Sequence, residues 1–123
     1  FKTEPEKVIS GGPMMGQALF SLDVPVTKTS SALTCFTKDV VSAEPSTPCI
    51  RCGRCVAACP SHLIPPMMMK AALKNDCEGF EKVNGMECME CGSCTFVCPA
   101  RRPLTQAFKD MRKQVAANRR KKA

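Results

Sequence analysis

The chain contains no tryptophan and no tyrosine, and the 5% of its 123 residues that are aromatic are all phenylalanine. A large aromatic core is excluded, so a chain this short needs another device to hold its fold. The same lack removes the platforms on which nucleic-acid modules stack bases, although Lys and Arg outnumber Asp and Glu by 18 to 11. No run approaches the roughly 18 apolar residues of a membrane-spanning helix. The chain opens at Phe1 with neither Met nor the basic and apolar regions of a secretory leader. It is therefore expected to be a fragment of something longer, with reduced thiols in a cytosolic compartment. No G-x-G-x-x-G occurs, "GGPMMG" at 11–16 having a different spacing, so no dinucleotide site is expected within it. No acid–base dyad or activated nucleophile is apparent either.

What the chain has instead is cysteine, ten of them. Eight fall into two runs, "CIRCGRCVAACP" from Cys49 to Pro60 and "CMECGSCTFVCP" from Cys88 to Pro99, each spaced C-x2-C-x2-C-x3-C-P. Three cysteines at this spacing can wrap one corner of a [4Fe-4S] cubane while backbone N–H groups point at its sulfides. Gly53 and Gly92, between the second and third cysteine of each run, let the backbone turn tightly there. The fourth cysteine, Cys59 or Cys98, precedes a proline and is biased toward extended backbone directed out of the wrap. In two-cluster proteins that cysteine ligates the other cluster. The expected ligand sets are therefore Cys49, Cys52, Cys55 and Cys98 for one cluster, and Cys88, Cys91, Cys94 and Cys59 for the second. Two clusters, each about 2− with its thiolates, bring the formal charge from +7 to roughly +3.

Zinc competes poorly, because a tetrahedral site needs four ligands and commonly takes C-x2-C pairs rather than two runs of four. Disulfides are disfavoured by compartment. Cys35 and Cys77 lie outside both runs and are expected to be ordinary thiols. His62 could be imagined as a Rieske-type ligand, but the thiolates are already complete, so it is expected to be a simple polar residue after Pro60. Met67 to Met69 are expected to pack, and "GGPMMG" to form a plain turn rather than an anion nest. Ile50, Val56, Leu63, Ile64, Met89, Phe96 and Val97 are the nearest apolar candidates for screening the clusters from water.

The chain divides into an expected β-rich segment (1–41), a turn-rich linker "SAEPSTP" (42–48), a two-cluster domain (49–102) and an amphipathic helix with a basic tail (103–123). "KVIS" is a short strand candidate, and Leu22, Val24 and Val26 alternate in strand period before a polar turn at Thr29 and Ser30 and a further run, "SALTCF", so that a small hairpin is expected. Between the cysteine runs the pattern is helical: Pro65 and Pro66 can open a helix through "MMMKAALKN", and a shorter one is expected over Glu78 to Val83. Leu104, Phe108, Met111 and Val115 form an apolar stripe on a last helix, after which "NRRKKA" is expected to fray into solvent. Compact two-cluster ferredoxins put β-hairpins between their motifs, whereas 60–87 is long enough for helices. The fold class is therefore α+β, a short β segment followed by an α-helical ferredoxin-type domain.

"VISGGPMMG", then "LDVPVTKTSSALT", then the two cysteine runs continuing into "ARRPL", resemble the C subunit of the Rnf complex, the ion-translocating ferredoxin:NAD oxidoreductase. The resemblance covers nearly the whole chain, and the Gly-Gly-Pro-Met-Met-Gly stretch narrows it beyond what the cysteines alone would allow. It implies a longer protein with an FMN- and NADH-binding region upstream and a β-grasp domain of which residues 1–40 look like the end. It also implies other Rnf subunits as partners, no nucleic acid, and a peripheral place on the cytoplasmic side of the bacterial cell membrane, with membrane contact only indirect. The segment itself is then an electron carrier inside an oxidoreductase. Two alternatives stand beside this: a helical iron–sulfur subunit of a quinone- or disulfide-reducing enzyme, which the β-rich leader argues against, and a zinc-stabilised nucleic-acid module, which lacks aromatic platforms.

Overall fold

Val8 and Ile9, the apolar centre of "KVIS", are the only two buried side chains among the described residues of the first of two units into which the computed structural model divides, 1–45 and 46–123. The described residues are 2–28, 30–41 and 43–122, the side chain of Lys122 excepted. The chain ends Phe1 and Ala123, the expected turn residue Thr29 and the first linker residue Ser42 lie outside them.

In the first unit β1 (Lys7–Ser10) is the middle strand, paired antiparallel with β2 (Gln17–Leu19) on one side and β3 (Leu33–Phe36) on the other. Val8 stands opposite Leu19 and Cys35, and Ile9 opposite Ala18 and Thr34. "GGPMMG" is the turn from β1 to β2: Gly11 takes φ 103°, and Gly16 N–H donates to Gly12 O at 2.8 Å. Gly16 packs so closely on Ile9 and on Ser10 O that a Cβ there has no room. Thr34 Oγ1 donates to Gly11 O at 2.8 Å, and Lys7 pairs with Asp39 at 2.9 Å, tying β3 and the residues after it to the central strand.

The hairpin is therefore not built as expected. The strand predicted over Leu22, Val24 and Val26 does not form, and the pairing falls to Gln17–Leu19 instead. Pro25 interrupts the run and has no N–H for a ladder, and all three alternating side chains are exposed, so no buried face rewards the alternation.

The second unit is helical: α1 (Arg54–Ala57), α2 (Pro65–Leu73), α3 (Cys77–Lys82), a 3₁₀ turn at Gly85–Glu87, α4 (Ser93–Phe96) and α5 (Leu104–Lys122). Pro65 and Pro66 occupy the first turn of α2, where no N–H is needed. Asp76 caps α3, its Oδ1 accepting from Gly79 N–H at 2.8 Å. The core joins Met68 and Met69 of α2, Phe80 of α3 and the α5 stripe Leu104, Phe108, Met111 and Val115, all buried as the four- and three-residue steps predict. Met67, the first of the three methionines, is exposed. Phe80 and Phe108 meet at 6.2 Å between ring centroids, tilted by 47°. Gly85 lies directly under the Phe80 ring, where a Cβ would collide with it.

Two expectations about the C-terminus change. α5, expected as an element of its own, supplies this core and packs on α2, α3 and α4. Nor do residues 118–122 of "NRRKKA" fray: α5 runs on to Lys122. Ala, Arg and Lys are strong helix formers, and Arg119 reaches Glu81 of α3, Nε to Oε1 at 2.9 Å, which holds the last turns down. Among the described residues no helix is long and apolar enough to cross a membrane.

Phe80 is fully buried in this core, and its hydrocarbon side chain contributes packing alone. Phe80→Ala is expected to lower the stability of the second unit by about 3–5 kcal/mol in chemical denaturation. A loss under about 1 kcal/mol would mean that the helices do not share this core.

Candidate metal centre

The second cysteine run repeats the first 39 positions later, Cys88 for Cys49, and the backbone repeats with it. Gly53 and Gly92 open α1 and α4 at φ 76° and 86°. Two residues before each glycine a non-glycine also takes positive φ, Arg51 at 56° and Glu90 at 58°. Such conformations are uncommon for side-chain-bearing residues and gather at functional sites. Alternating left-handed positions turn successive N–H groups to one side, the concavity that holds anions and iron–sulfur cores.

The stretch after each third cysteine explains how the runs meet. Cys59 and Cys98 stand two residues beyond α1 and α4, and each begins a tight turn: His62 N–H donates to Cys59 O at 3.1 Å and Arg101 N–H to Cys98 O at 3.0 Å. His62 and Arg101 close these turns at φ 52° and 51°. His62 is therefore a turn residue. A proline in each turn fixes the direction in which the fourth cysteine leaves its wrap.

Two cavities result. One is lined by Cys88, Cys91 and Cys94 together with Cys59, the other by Cys49, Cys52 and Cys55 together with Cys98, and His62 lines neither. Each is closed by an apolar wall from the helices, Met68 and Phe108 at the Cys88 site and Met69 and Leu104 at the Cys49 site. Among the described residues no group of three or more His, Cys, Asp or Glu side chains is gathered to hold a single metal ion. A cubane is held differently, by thiolates bound to separate irons. No disulfide joins the cysteines; Cys35 is exposed, and Cys77 accepts from Asn118 Nδ2 at 3.4 Å, away from both cavities.

The apolar screen is only in part the one expected. Leu63 is buried and Val97 half-buried, but Ile50, Val56, Ile64, Met89 and Phe96 are exposed, Phe96 at 80%. Met89 and Leu63 nevertheless line the Cys88 site and Ile50 the Cys49 site; Val56, Ile64, Phe96 and Val97 line neither, and the remaining apolar walls come from α2 and α5. Sequence reasoning also passed over Ser93, Thr95 and Thr105. Their hydroxyls become relevant only once α4 and the start of α5 are brought together: Thr105 N–H donates to Thr95 Oγ1 at 2.9 Å, and the two hydroxyls lie 2.8 Å apart.

The thiols are tuned unequally. Burial pushes Cys94 up, opposed by the hydroxyls of Thr105 and Thr95 and by Thr95 N–H. Burial also pushes Cys88 up, against the Glu90 N–H and the Arg112 guanidinium. Burial raises Cys55, with smaller contributions from the neighbouring Cys98 and Cys94. Cys91 goes the other way: the Ser93 hydroxyl, 3.4 Å from its sulfur, and the Ser93 N–H draw it down. Arg112 of α5 also pairs with Glu90 inside the second run, so the last helix is tied to the wrap. At the Cys49 site the corresponding lining is cationic, Arg51 and Arg102, and Cys49 and Cys52 are exposed.

Eight thiols in two sets of four, each lining a cavity with an apolar wall, fit an iron–sulfur domain of the two-cluster class. In agreement, residues 41–99 match the family model of the 4Fe-4S dicluster domain. Over nearly its whole length the chain is homologous to the C subunits of the Rnf-type ion-translocating oxidoreductase complexes. It is 49% identical over 98% of its residues to the C subunit of the Na(+)-translocating ferredoxin:NAD(+) oxidoreductase complex of Acetobacterium woodii. It is 49% identical to the proton-translocating counterpart of Clostridium ljungdahlii over 100% of its residues, and 46% identical over 88% to the C subunit of the ion-translocating oxidoreductase complex of Rhodobacter capsulatus. The chain spans about a quarter of these relatives, 27%, 27% and 21% of their lengths.

The opposed shifts of Cys91 and its neighbours give a test on the metal-free, reduced chain. A lowered pKa leaves more thiolate at a given pH, so Cys91 is expected to be alkylated by iodoacetamide ahead of Cys88 and Cys94 at neutral pH, as read by peptide mass spectrometry. Ser93→Ala removes the lead. Equal rates at all three positions would contradict the assigned environments.

Proposed function

We propose that the chain is the electron-relay segment of an Rnf-type C subunit, holding one [4Fe-4S] cluster on Cys49, Cys52, Cys55 and Cys98 and another on Cys88, Cys91, Cys94 and Cys59. The observation that carries this reading is that each cavity draws three cysteines from one run and the fourth from the other. When bound, each cluster takes up and gives back one electron, with no substrate bond made or broken. The chain's own part is to bind, to hold the two sites close together and to set the local field. Crossing does the holding, because only three residues separate the third cysteine of a run from the fourth. Met68, Met69, Leu104 and Phe108 keep water from the inner sides, while the backbone N–H groups of Glu90, Ser93 and Thr95 favour the thiolate form.

In the whole protein this segment passes electrons between reduced ferredoxin and NAD, with FMN and NADH bound in an upstream region and Na+ or H+ crossing the membrane in other subunits. The names of the relatives supply the donor, the acceptor and the ions for those proteins. On this reading residues 2–41 end a β-grasp domain, and residues 43–48 are a linker. The partners are the other subunits of the complex, through which the chain is held on the cytoplasmic side of the cell membrane. Exposed Cys49 and Cys52, with Arg51 and Arg102 beside them, make the Cys49 site the one at which a negatively charged partner exchanges electrons.

Anaerobically reconstituted chain is expected to hold about eight iron and eight sulfide. In paramagnetic NMR, Cys59→Ala should disturb the signals of Cys88, Cys91 and Cys94, and Cys98→Ala those of Cys49, Cys52 and Cys55. Stoichiometric zinc, or about four iron, would remove the two-cluster reading. If each substitution disturbs its own run instead, the fourth ligands must be exchanged.

A further inference from the structure

Because the sites repeat, most wall residues of one have a counterpart 39 positions away in the other, Met68 being an exception. Phe108 matches Met69, both apolar. The residue next to the start of the closing helix does not match: α2 presents Pro66 to the Cys49 site, and α5 presents Thr105 to the Cys88 site. Proline has neither hydroxyl nor N–H to offer. Thr105 has both, and it is the one polar side chain counted among the buried core of the described residues, at 8% exposure. Its Oγ1 lies 3.7 Å from Cys94 Sγ and 2.8 Å from Thr95 Oγ1. The counterpart of Thr95 is Val56, again without a hydroxyl.

The protons of this cluster follow from counting donors and acceptors. A cysteine that ligates iron is a thiolate, which has no proton and can only accept. The Thr105 O–H therefore donates to Cys94 Sγ. Thr105 Oγ1 is then left to accept, and the Thr95 O–H donates to it. Thr95 Oγ1 in turn accepts from Thr105 N–H at 2.9 Å. In this arrangement each hydroxyl gives one hydrogen bond and receives one.

We propose that Thr105 sets the potential of the cluster bound by Cys94: its hydroxyl, oriented by Thr95, donates to the Cys94 sulfur and raises the reduction potential of that site and not of the other. Reduction adds negative charge that spreads onto the ligating sulfurs, so a donor there stabilises the reduced form more than the oxidised one. Ser93 near Cys91, and Leu63 N–H 3.3 Å from Cys59 Sγ, act in the same sense at this site and stay unchanged when Thr105 alone is replaced. Thr105 is thus a tuning residue, acting on the cluster through Cys94.

The inference rests on the two-cluster reading, and the experiment keeps the two apart. The unaltered chain, Thr105→Val, Thr105→Ala and Thr105→Ser are reconstituted, assayed for iron and sulfide, and titrated potentiometrically with EPR detection. At full iron and sulfide content, Thr105→Val is expected to move one of the two midpoint potentials to a more negative value and leave the other in place. Thr105→Ser, which restores the hydroxyl, returns the potential toward that of the unaltered chain. Thr105→Ala gives the same shift as valine and decides the matter if the added methyl crowds the site. Unmoved potentials in a fully loaded alanine or valine variant, equal movement of both, or a serine variant that behaves like valine would overturn the proposal. An unaltered chain that cannot be loaded with two clusters would instead overturn the ligand reading beneath it.

Discussion

The fold of the second unit turns on one constraint: each run of cysteines lines one cavity with three thiols and sends its fourth to the other. The two turns that do this, Cys59 to His62 and Cys98 to Arg101, are alike in hydrogen bond and in the positive φ of their last residue. Each comes out at the start of a longer helix, α2 or α5, which then walls the sites. Core and metal centre are therefore one object. Phe108 packs on Phe80 with one flank and lines the Cys88 site with another. A chain with so few aromatics can fold this way because its small core is expected to be completed by two inorganic ones.

The repetition makes the two sites equal in plan, and the side chains then make them unequal in chemistry. Glu90 stands where the other run has Arg51, Leu63 where it has Arg102, and Thr105 where it has Pro66. The Cys49 site is the more exposed and the more cationic, while the cysteines of the Cys88 site are all half-buried. Burial and a nearby carboxylate disfavour the reduced state, and hydroxyl donors favour it, so the hydroxyl donors of Ser93, Thr95 and Thr105 counter the burial of their own site. On the proposed relay reading, two sites of identical design would give no reason for an electron to rest on one before the other, and these differences supply one.

What was legible in the sequence was whatever depends on local spacing. The cysteine cadence, the glycines inside it, the proline start of α2 and the stripe Leu104, Phe108, Met111, Val115 each repeat a short-range rule, and α2 and α5 form where those rules put them. What was not legible depends on contacts between distant segments. Leu22, Val24 and Val26 alternate like a strand, but Pro25 sits among them and no partner covers them, so Gln17–Leu19 pairs instead. "NRRKKA" looked like a loose tail because nothing local announces that Arg119 will meet Glu81. Thr95 and Thr105 carry no local signal and come into play only when the start of α5 is set against α4.

The central claim is that crossed ligation holds two [4Fe-4S] clusters close together, and EPR of the fully dithionite-reduced, reconstituted chain tests it most directly. Two paramagnetic centres joined through Cys59 and Cys98 across such short stretches of chain predict a spectrum broadened and split by their magnetic interaction, collapsing to a simple signal when only one is reduced. A fully reduced spectrum that is merely the sum of two undisturbed signals would contradict the account.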